Sequence, residues 1–367
     1  MRIVIVGGGV LGTMHAWWAI ERGHQVVHLE REAEARGASV RNFGLVWVSG
    51  RLDGPDVETA LRARELWEGI GAAVPGVGFR PAGSLTICRT EAEVAVAEAA
   101  LREESAGVRG LRLLSRADAR ALNPALGGEF LAALHCERDA AVESRVALPA
   151  LRAHMAASGR YTWLPGREVR DVATGSVRDD HGDTHEADQV VLATGAWLGG
   201  LVRELAPDLP IRKVRLQMAQ TAPLDTPLTT AVADGDSFRY YPFFRSEGLT
   251  EPQAPIAAEH KMQLLMVQRL DGGLTIGDTH EYEHPFGFDV VEPPYDHLTE
   301  VASAILGRPL PRILRRWAGV YAQCLDPRAV LHRSQPLPGV WLVTGPGGRG
   351  MTGSPAMAEK TAEEAGW

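Results

Sequence analysis

Short apolar runs punctuated by glycine organise the chain. Residues 3–6 are the first, closed by Gly7, Gly8 and Gly9. A run this short and apolar throughout predicts a strand buried on both faces of a parallel sheet. Residues 13–22 have helical composition and stop at Gly23. Residues 25–29 are β-rich again, which makes the start of the chain one βαβ unit. A stretch rich in Gly, Ser and Asn follows at 37–54 and predicts a long functional loop. Helices are expected at 57–70, 91–104 and 146–157, and an apolar strand at 189–192. Between 214 and 290 the pattern turns to strands separated by turns, at 239–244, 264–267 and 274–276. Asp271-Gly272-Gly273 is a hairpin signal there. This middle region predicts an antiparallel sheet. A late strand at 340–344, a glycine-rich loop and a last helix complete the pattern.

Composition narrows the function classes. The 367 residues suit two domains, or one α/β domain with an insertion. A net charge of −8 argues against a nucleic-acid partner, while leaving room for a local basic pocket. Cys88, Cys136 and Cys324 are far apart and odd in number, so neither a disulfide framework nor a zinc site fits. Reduced thiols in a cytoplasmic protein are the simplest reading. No run approaches the ~18 apolar residues of a membrane span, and no signal peptide is visible.

The glycine turn carries the first chemistry. Gly7-Gly8-Gly9-Val10-Leu11-Gly12 fits G-x-G-x-x-G between a strand and a helix. Gly7 permits the tight turn, Gly9 lets backbone approach a pyrophosphate, and Gly12 lets helix and strand pack closely. The helix N-terminus offers free N–H groups and a partial positive charge to phosphates. Glu30, 18 residues after Gly12, suits a ribose 2′-hydroxyl and repels the 2′-phosphate of NADP. An empty glycine turn is the alternative. Two further segments favour FAD over NAD. One is the strand ending at Ala193-Thr194-Gly195-Ala196-Trp197. The other is the loop Gly345-Pro346-Gly347-Gly348-Arg349-Gly350-Met351-Thr352. A large flavin needs backbone approach from several segments, including a late one.

With these segments in order, the chain resembles the D-amino-acid-oxidase-like flavoenzymes, the group containing glycine oxidase and sarcosine oxidase. Glu30-Arg31, Gly37-Ala38-Ser39, Gly166-Arg167-Glu168-Val169, Leu274-Thr275-Ile276-Gly277 and Trp317-Ala318-Gly319 extend the resemblance over nearly the whole chain. It implies an α/β fold: a Rossmann-like, glutathione-reductase-like FAD-binding domain with a second α+β substrate domain on an antiparallel sheet. The FAD domain is expected at 1–80, 140–213 and 325–367, and the substrate domain at 81–139 and 214–324. The resemblance places Glu30 at the adenosine ribose and Val169 at adenine. Ser39 and Asn42, in the loop that continues through Phe43 and Gly44, lie along the pyrophosphate and flavin. Gly348 to Thr352 approach the flavin pyrimidine edge.

Two departures redirect the substrate. Amino-acid oxidases of this group place an Arg after the Trp-Ala-Gly stretch to hold a carboxylate; here that place holds Tyr321. Glycine oxidase uses a Tyr where this chain has Leu265. Arg41 is an addition relative to glycine oxidase, and Arg349 sits in the late loop. The combination resembles the branch associated with aminophosphonate breakdown. Its implied substrates are 2-aminoethylphosphonate or its N-methyl forms. Arginine suits such tetrahedral anions, so Arg41 and Arg349 are candidate anchors, helped by Tyr240, Tyr241 or Tyr321. Salt-bridge or surface roles compete with both.

The implied reaction is hydride transfer from an amine C–H bond to flavin N5. Imine hydrolysis gives an aldehyde and an amine, and O₂ is reduced to H₂O₂. Alternatives are a glycine- or sarcosine-type oxidase, a dehydrogenase with another acceptor, and a non-catalytic redox sensor. Lys261 is a candidate cation for O₂ activation, against a solvated charge. Trp47 suits either the pocket or the core; Trp17 and Trp18 read as core. His181 and His185 lie in a polar turn that does not suit a metal. The cysteine that attaches flavin in sarcosine oxidase corresponds to Gly319, so FAD is expected to be non-covalent.

Overall fold

Alternation along Arg2–Val6 explains its place at the centre of a layered domain. Ile3 and Ile5 face one core, built with the helices Val10–Glu21, Pro55–Ala73, Ala147–Ala156 and Gly350–Glu364. Val4 and Val6 face another, built with the three-stranded sheet Val169–Ala173, Ser176–Asp179 and Thr184–Glu186. A strand buried on both faces must be apolar throughout, as this one is. The computed structural model describes residues 1–244, 248–249 and 251–367. Its six-stranded sheet runs in the order His332–Leu337, Val340–Thr344, Gln189–Leu192, Arg2–Val6, Gln25–Glu30, Tyr161–Pro165. All neighbours are parallel except the first pair. Trp17 is buried, and Trp18 donates its indole N–H to the Pro355 carbonyl at 2.8 Å.

A second, eight-stranded sheet draws strands from two separate stretches of chain. Its order is Ile313–Cys324, Ile211–Pro223, Gly273–Gly277, Leu265–Gln268, Ala231–Ala233, Ser84–Cys88, Ala132–Cys136, Leu111–Ser115. Only Ala231–Ala233 and Ser84–Cys88 pair in parallel. Alternation again sorts the faces. Met266, Leu274 and Ile276 pack under the helix Pro293–Leu306. Leu265, Val267, Leu216, Met218 and Tyr321 belong to the opposite side.

The segment 239–244 is not the expected strand. A short helix, Ser237–Tyr240, precedes turns through Phe244. Pro242 lacks a ladder donor, and the aromatic residues are buried by mutual packing rather than by pairing. Phe238 and Phe244 meet edge to face at 4.8 Å, and Tyr240 and Tyr241 at 5.0 Å. The loop 37–54 contains a tight turn at Ala38–Val40 and a two-residue strand, Leu45–Val46, paired with Ala140–Ala141. Among the described residues, no helix is long and apolar enough to cross a membrane.

Candidate active site

The ends of the central strands and one face of the larger sheet line a cavity of about 1040 Å³. That lies at the upper end of the ~300–1,000 Å³ usual for ligand sites. The glycine turn forms one end. Gly7 has φ +107°, and a Cβ there would lie 2.4 Å from the Ala193 carbonyl oxygen. A Cβ on Gly12 would lie 1.9 Å from the Gly7 oxygen, so the helix rests directly on the turn. Gly7, Gly9, Val10 and Leu11 line the cavity; Gly12 sits behind them. Val10 donates its N–H to Ser39 Oγ at 2.9 Å, which ties the second loop to the helix N-terminus.

Glu30 lines the same end. Its carboxylate accepts from Gly8 N at 2.6 Å and Glu32 N at 3.0 Å, which fixes it while leaving lone pairs for a ligand hydroxyl. Arg31 lies over the Trp197 ring at 4.0 Å, a cation–π contact that roofs this end. Val169, Ala193, Thr194 and Gly195 complete its walls. Asn42 lines the cavity but uses its amide on the loop: Nδ2 donates to Ala38 and Ser39 carbonyls, and Oδ1 accepts from Gly44 N. Gly44 and Gly345 lie behind the lining, whereas Phe43, Gly348, Gly350, Met351 and Thr352 are part of it. A Cβ on Gly348 or Gly195 would meet nothing within 4 Å, so bare backbone borders open space there. Thr352 Oγ accepts from Trp47 N at 2.9 Å and donates to the Leu45 carbonyl at 3.2 Å, binding the last helix to the 37–54 loop. A helix N-terminus, a fixed carboxylate and bare glycine backbone along one trough fit an extended dinucleotide.

The arginines differ in state. Arg349 pairs with Asp56 at 2.9 Å and donates to the Pro327 carbonyl at 3.0 Å, so its charge is compensated. Arg41 donates Nε to the Arg36 carbonyl at 2.8 Å and Nη1 to the Ala318 carbonyl at 2.7 Å. Those carbonyls hold it without neutralising it. Lys261 is outside the lining; its Nζ lies over the Tyr282 ring at 4.6 Å. His185 pairs with Asp179 at 3.0 Å, a carboxylate that also takes Arg167. Cys324 lines the cavity, and burial raises its thiol above the ordinary value, so it stays protonated.

At the far end, candidates named from the sequence meet residues that the sequence did not point to. Trp47, Tyr240, Tyr241 and Tyr321 meet Gln263, Asp278, His280 and Tyr282 there, beside Leu265. Burial and then the neighbouring tyrosines and Asp278 hold the Tyr240 and Tyr321 hydroxyls well above the ordinary phenol value, so they remain neutral donors. Burial also raises the Asp278 carboxyl, with His280 opposing. The available signal was a charged residue immediately after the apolar strand Gly273–Gly277, where the resemblance stopped at Gly277.

Comparison with known proteins agrees with this architecture. Glycine oxidase of Geobacillus kaustophilus is 27% identical over 246 residues, 63% of this chain and 64% of that one, so the alignment spans under two thirds of its length. Glycine oxidase of Pseudomonas aeruginosa is 26% identical over 382 aligned positions, 99% and 94% of the two chains. The solved structure of the Geobacillus glycine oxidase shares the fold, with a TM-score of 0.78 at 21% identity over 100% of this chain and 95% of that one. The family model for FAD dependent oxidoreductases, DAO, matches residues 2–364; the chain belongs to that family, and FAD is its cofactor.

Proposed function

We propose that this chain oxidises the C–H bond beside the nitrogen of a small amine that also carries an anionic group. The candidate substrates are 2-aminoethylphosphonate and its N-methyl derivatives. The observation that carries the reading is Arg41, on the cavity wall, held by two backbone carbonyls and in no ion pair among the described residues. A guanidinium fixed in this way suits a tetrahedral oxyanion. Arg349 is already paired with Asp56, so the anion site rests on Arg41, with Arg36 beside it on the wall. Leu265 and Tyr321 supply no cationic anchor for a carboxylate.

FAD, when bound, would supply the two-electron acceptor, with O₂ as the final oxidant and H₂O₂ as its product. The chain contributes position and shielding. Phe43, Trp47, Met218 and Leu265 line the cavity with apolar surface that excludes water. The imine product hydrolyses to an aldehyde and an amine. Gly319 offers no nucleophile, and Cys324 is held as a thiol, which supports non-covalent FAD. Lys261 lies off the cavity and receives no role with O₂. We assign the FAD domain to the stretches carrying the six-stranded sheet, with its boundary at 210, ahead of the strand Ile211–Pro223.

Oxygen uptake and H₂O₂ release with a panel of amines test the reading. Turnover of the aminophosphonates in preference to glycine and sarcosine is expected. Turnover of glycine or sarcosine with none of the aminophosphonates would overturn the substrate assignment.

A further inference from the structure

Asp278 is 6% exposed, and its Oδ1 is buried without a hydrogen-bond partner. A buried carboxylate oxygen left without a donor is costly unless a cation or donor completes it. It borders the cavity at the far end from the glycine turn, within a continuous wall of aromatic rings. Trp47 and Tyr241 are 5.8 Å apart, Tyr241 and Tyr240 5.0 Å, Tyr240 and His280 4.3 Å, and His280 and Tyr282 6.4 Å, centroid to centroid. Tyr321 lies within reach of Tyr240, yet its hydroxyl makes no hydrogen bond of good geometry. A buried carboxylate on the same cavity wall as a row of aromatic rings is chemistry that suits an alkylammonium.

Resting on the amine-oxidase reading, we propose that Asp278 binds the substrate ammonium and takes its proton, so that the nitrogen reaches the reacting geometry as the free base. One N–H bond breaks, its electron pair stays on nitrogen, and the proton forms an O–H bond on Asp278. His280 is the positioning residue. Its Nδ1–H donates to the Lys261 carbonyl at 2.9 Å, which holds the ring with Nε2 3.7 Å from Asp278 Oδ2. The groups facing the carboxylate are His280, Gln263 and the hydroxyls of Tyr240, Tyr241, Tyr282 and Tyr321. Burial raises the carboxyl from its ordinary value, which makes it a stronger base than an exposed aspartate.

Asp278→Asn in the FAD-loaded enzyme tests this. An alkylammonium titrating near ~10.4 is about one part in a thousand free base at pH 7.4. The variant is expected to lose up to that factor, roughly 10³-fold, in kcat/KM at pH 7.4 and to recover as pH approaches the amine's own value. Asp278→Glu should restore part of the neutral-pH activity, and His280→Gln should move the profile less. A loss equal at every pH, with flavin retained, or a wild-type profile would overturn the proposal. Isothermal titration with tetramethylammonium reads the cation site without turnover; binding that Asp278→Asn abolishes supports the proposal, and binding unchanged by it contradicts it. If the wild type oxidises no amine, the function reading fails, and the titration still decides the cation site.

Discussion

Gly12→Ala gives a direct physical test of the cofactor turn. The new Cβ would lie 1.9 Å from the Gly7 oxygen and 3.1 Å from its carbonyl carbon. Ordinary packing needs well over 3 Å, so helix and turn must separate by roughly 1 Å, and neither contact is a flexible side chain that can swing away. Overpacking of this kind costs about 1–3 kcal/mol. It also draws the helix N-terminus away from the phosphates it would stabilise. If the displaced N-terminus costs the FAD-bound form a further amount of the same size, 1.4 kcal/mol per decade converts it to roughly a 5- to 150-fold weaker Kd. Gly348→Ala is the control. Its Cβ meets no protein atom within 4 Å and projects into open space beside the late loop. Titration of apoprotein with FAD, followed by flavin fluorescence, and calorimetric melting of the apoprotein separate the two effects. Gly12→Ala should lower both affinity and Tm; Gly348→Ala should lower affinity and leave Tm unchanged. Wild-type affinity and Tm in Gly12→Ala would refute the reasoning.

Other outcomes follow from the same geometry. Arg41→Met should lower kcat/KM for anionic amines by roughly 10- to 150-fold, the worth of charge-assisted hydrogen bonds at ~1.5–3 kcal/mol, while leaving uncharged amines nearly unaffected; a steady-state comparison checks this. Burial lowers His15 from 6.5 to about 4 and His28 from 6.5 to about 3, so both are neutral when folded. Unfolding therefore takes up protons below pH 6.5, and stability is complete above that pH and falls as pH drops towards about 4 and then about 3. At pH 5 each imidazole would cost about 2 kcal/mol, which calorimetric Tm values between pH 7 and pH 5 would show as a steady decline.

Local chemistry made much of this molecule legible in its sequence. The run before Gly7, the glycine spacing and the strand ending at Ala193 are short-range patterns, and each lies on the cavity. The strands around Leu265 and Leu274 were readable because alternation sorts residues between the helix-covered face and the cavity face. The segment from Arg239 to Phe244 was misread because aromatic residues suit a strand and an aromatic cluster equally, and Pro242 decides between them only through its missing donor. Arg349 was read as an anion anchor; its Asp56 partner lies 293 residues away in sequence, beyond any local pattern. Asp278 and His280 became visible only when four distant segments closed around them.

Anaerobic addition of N-methyl-2-aminoethylphosphonate to the FAD-loaded protein, watched through the flavin absorbance, tests the central claim most directly. Loss of the oxidised flavin band, its return on admitting air and formation of an aldehyde are the results the account predicts. A protein that binds FAD yet is bleached by glycine or sarcosine and not by the aminophosphonate would contradict it.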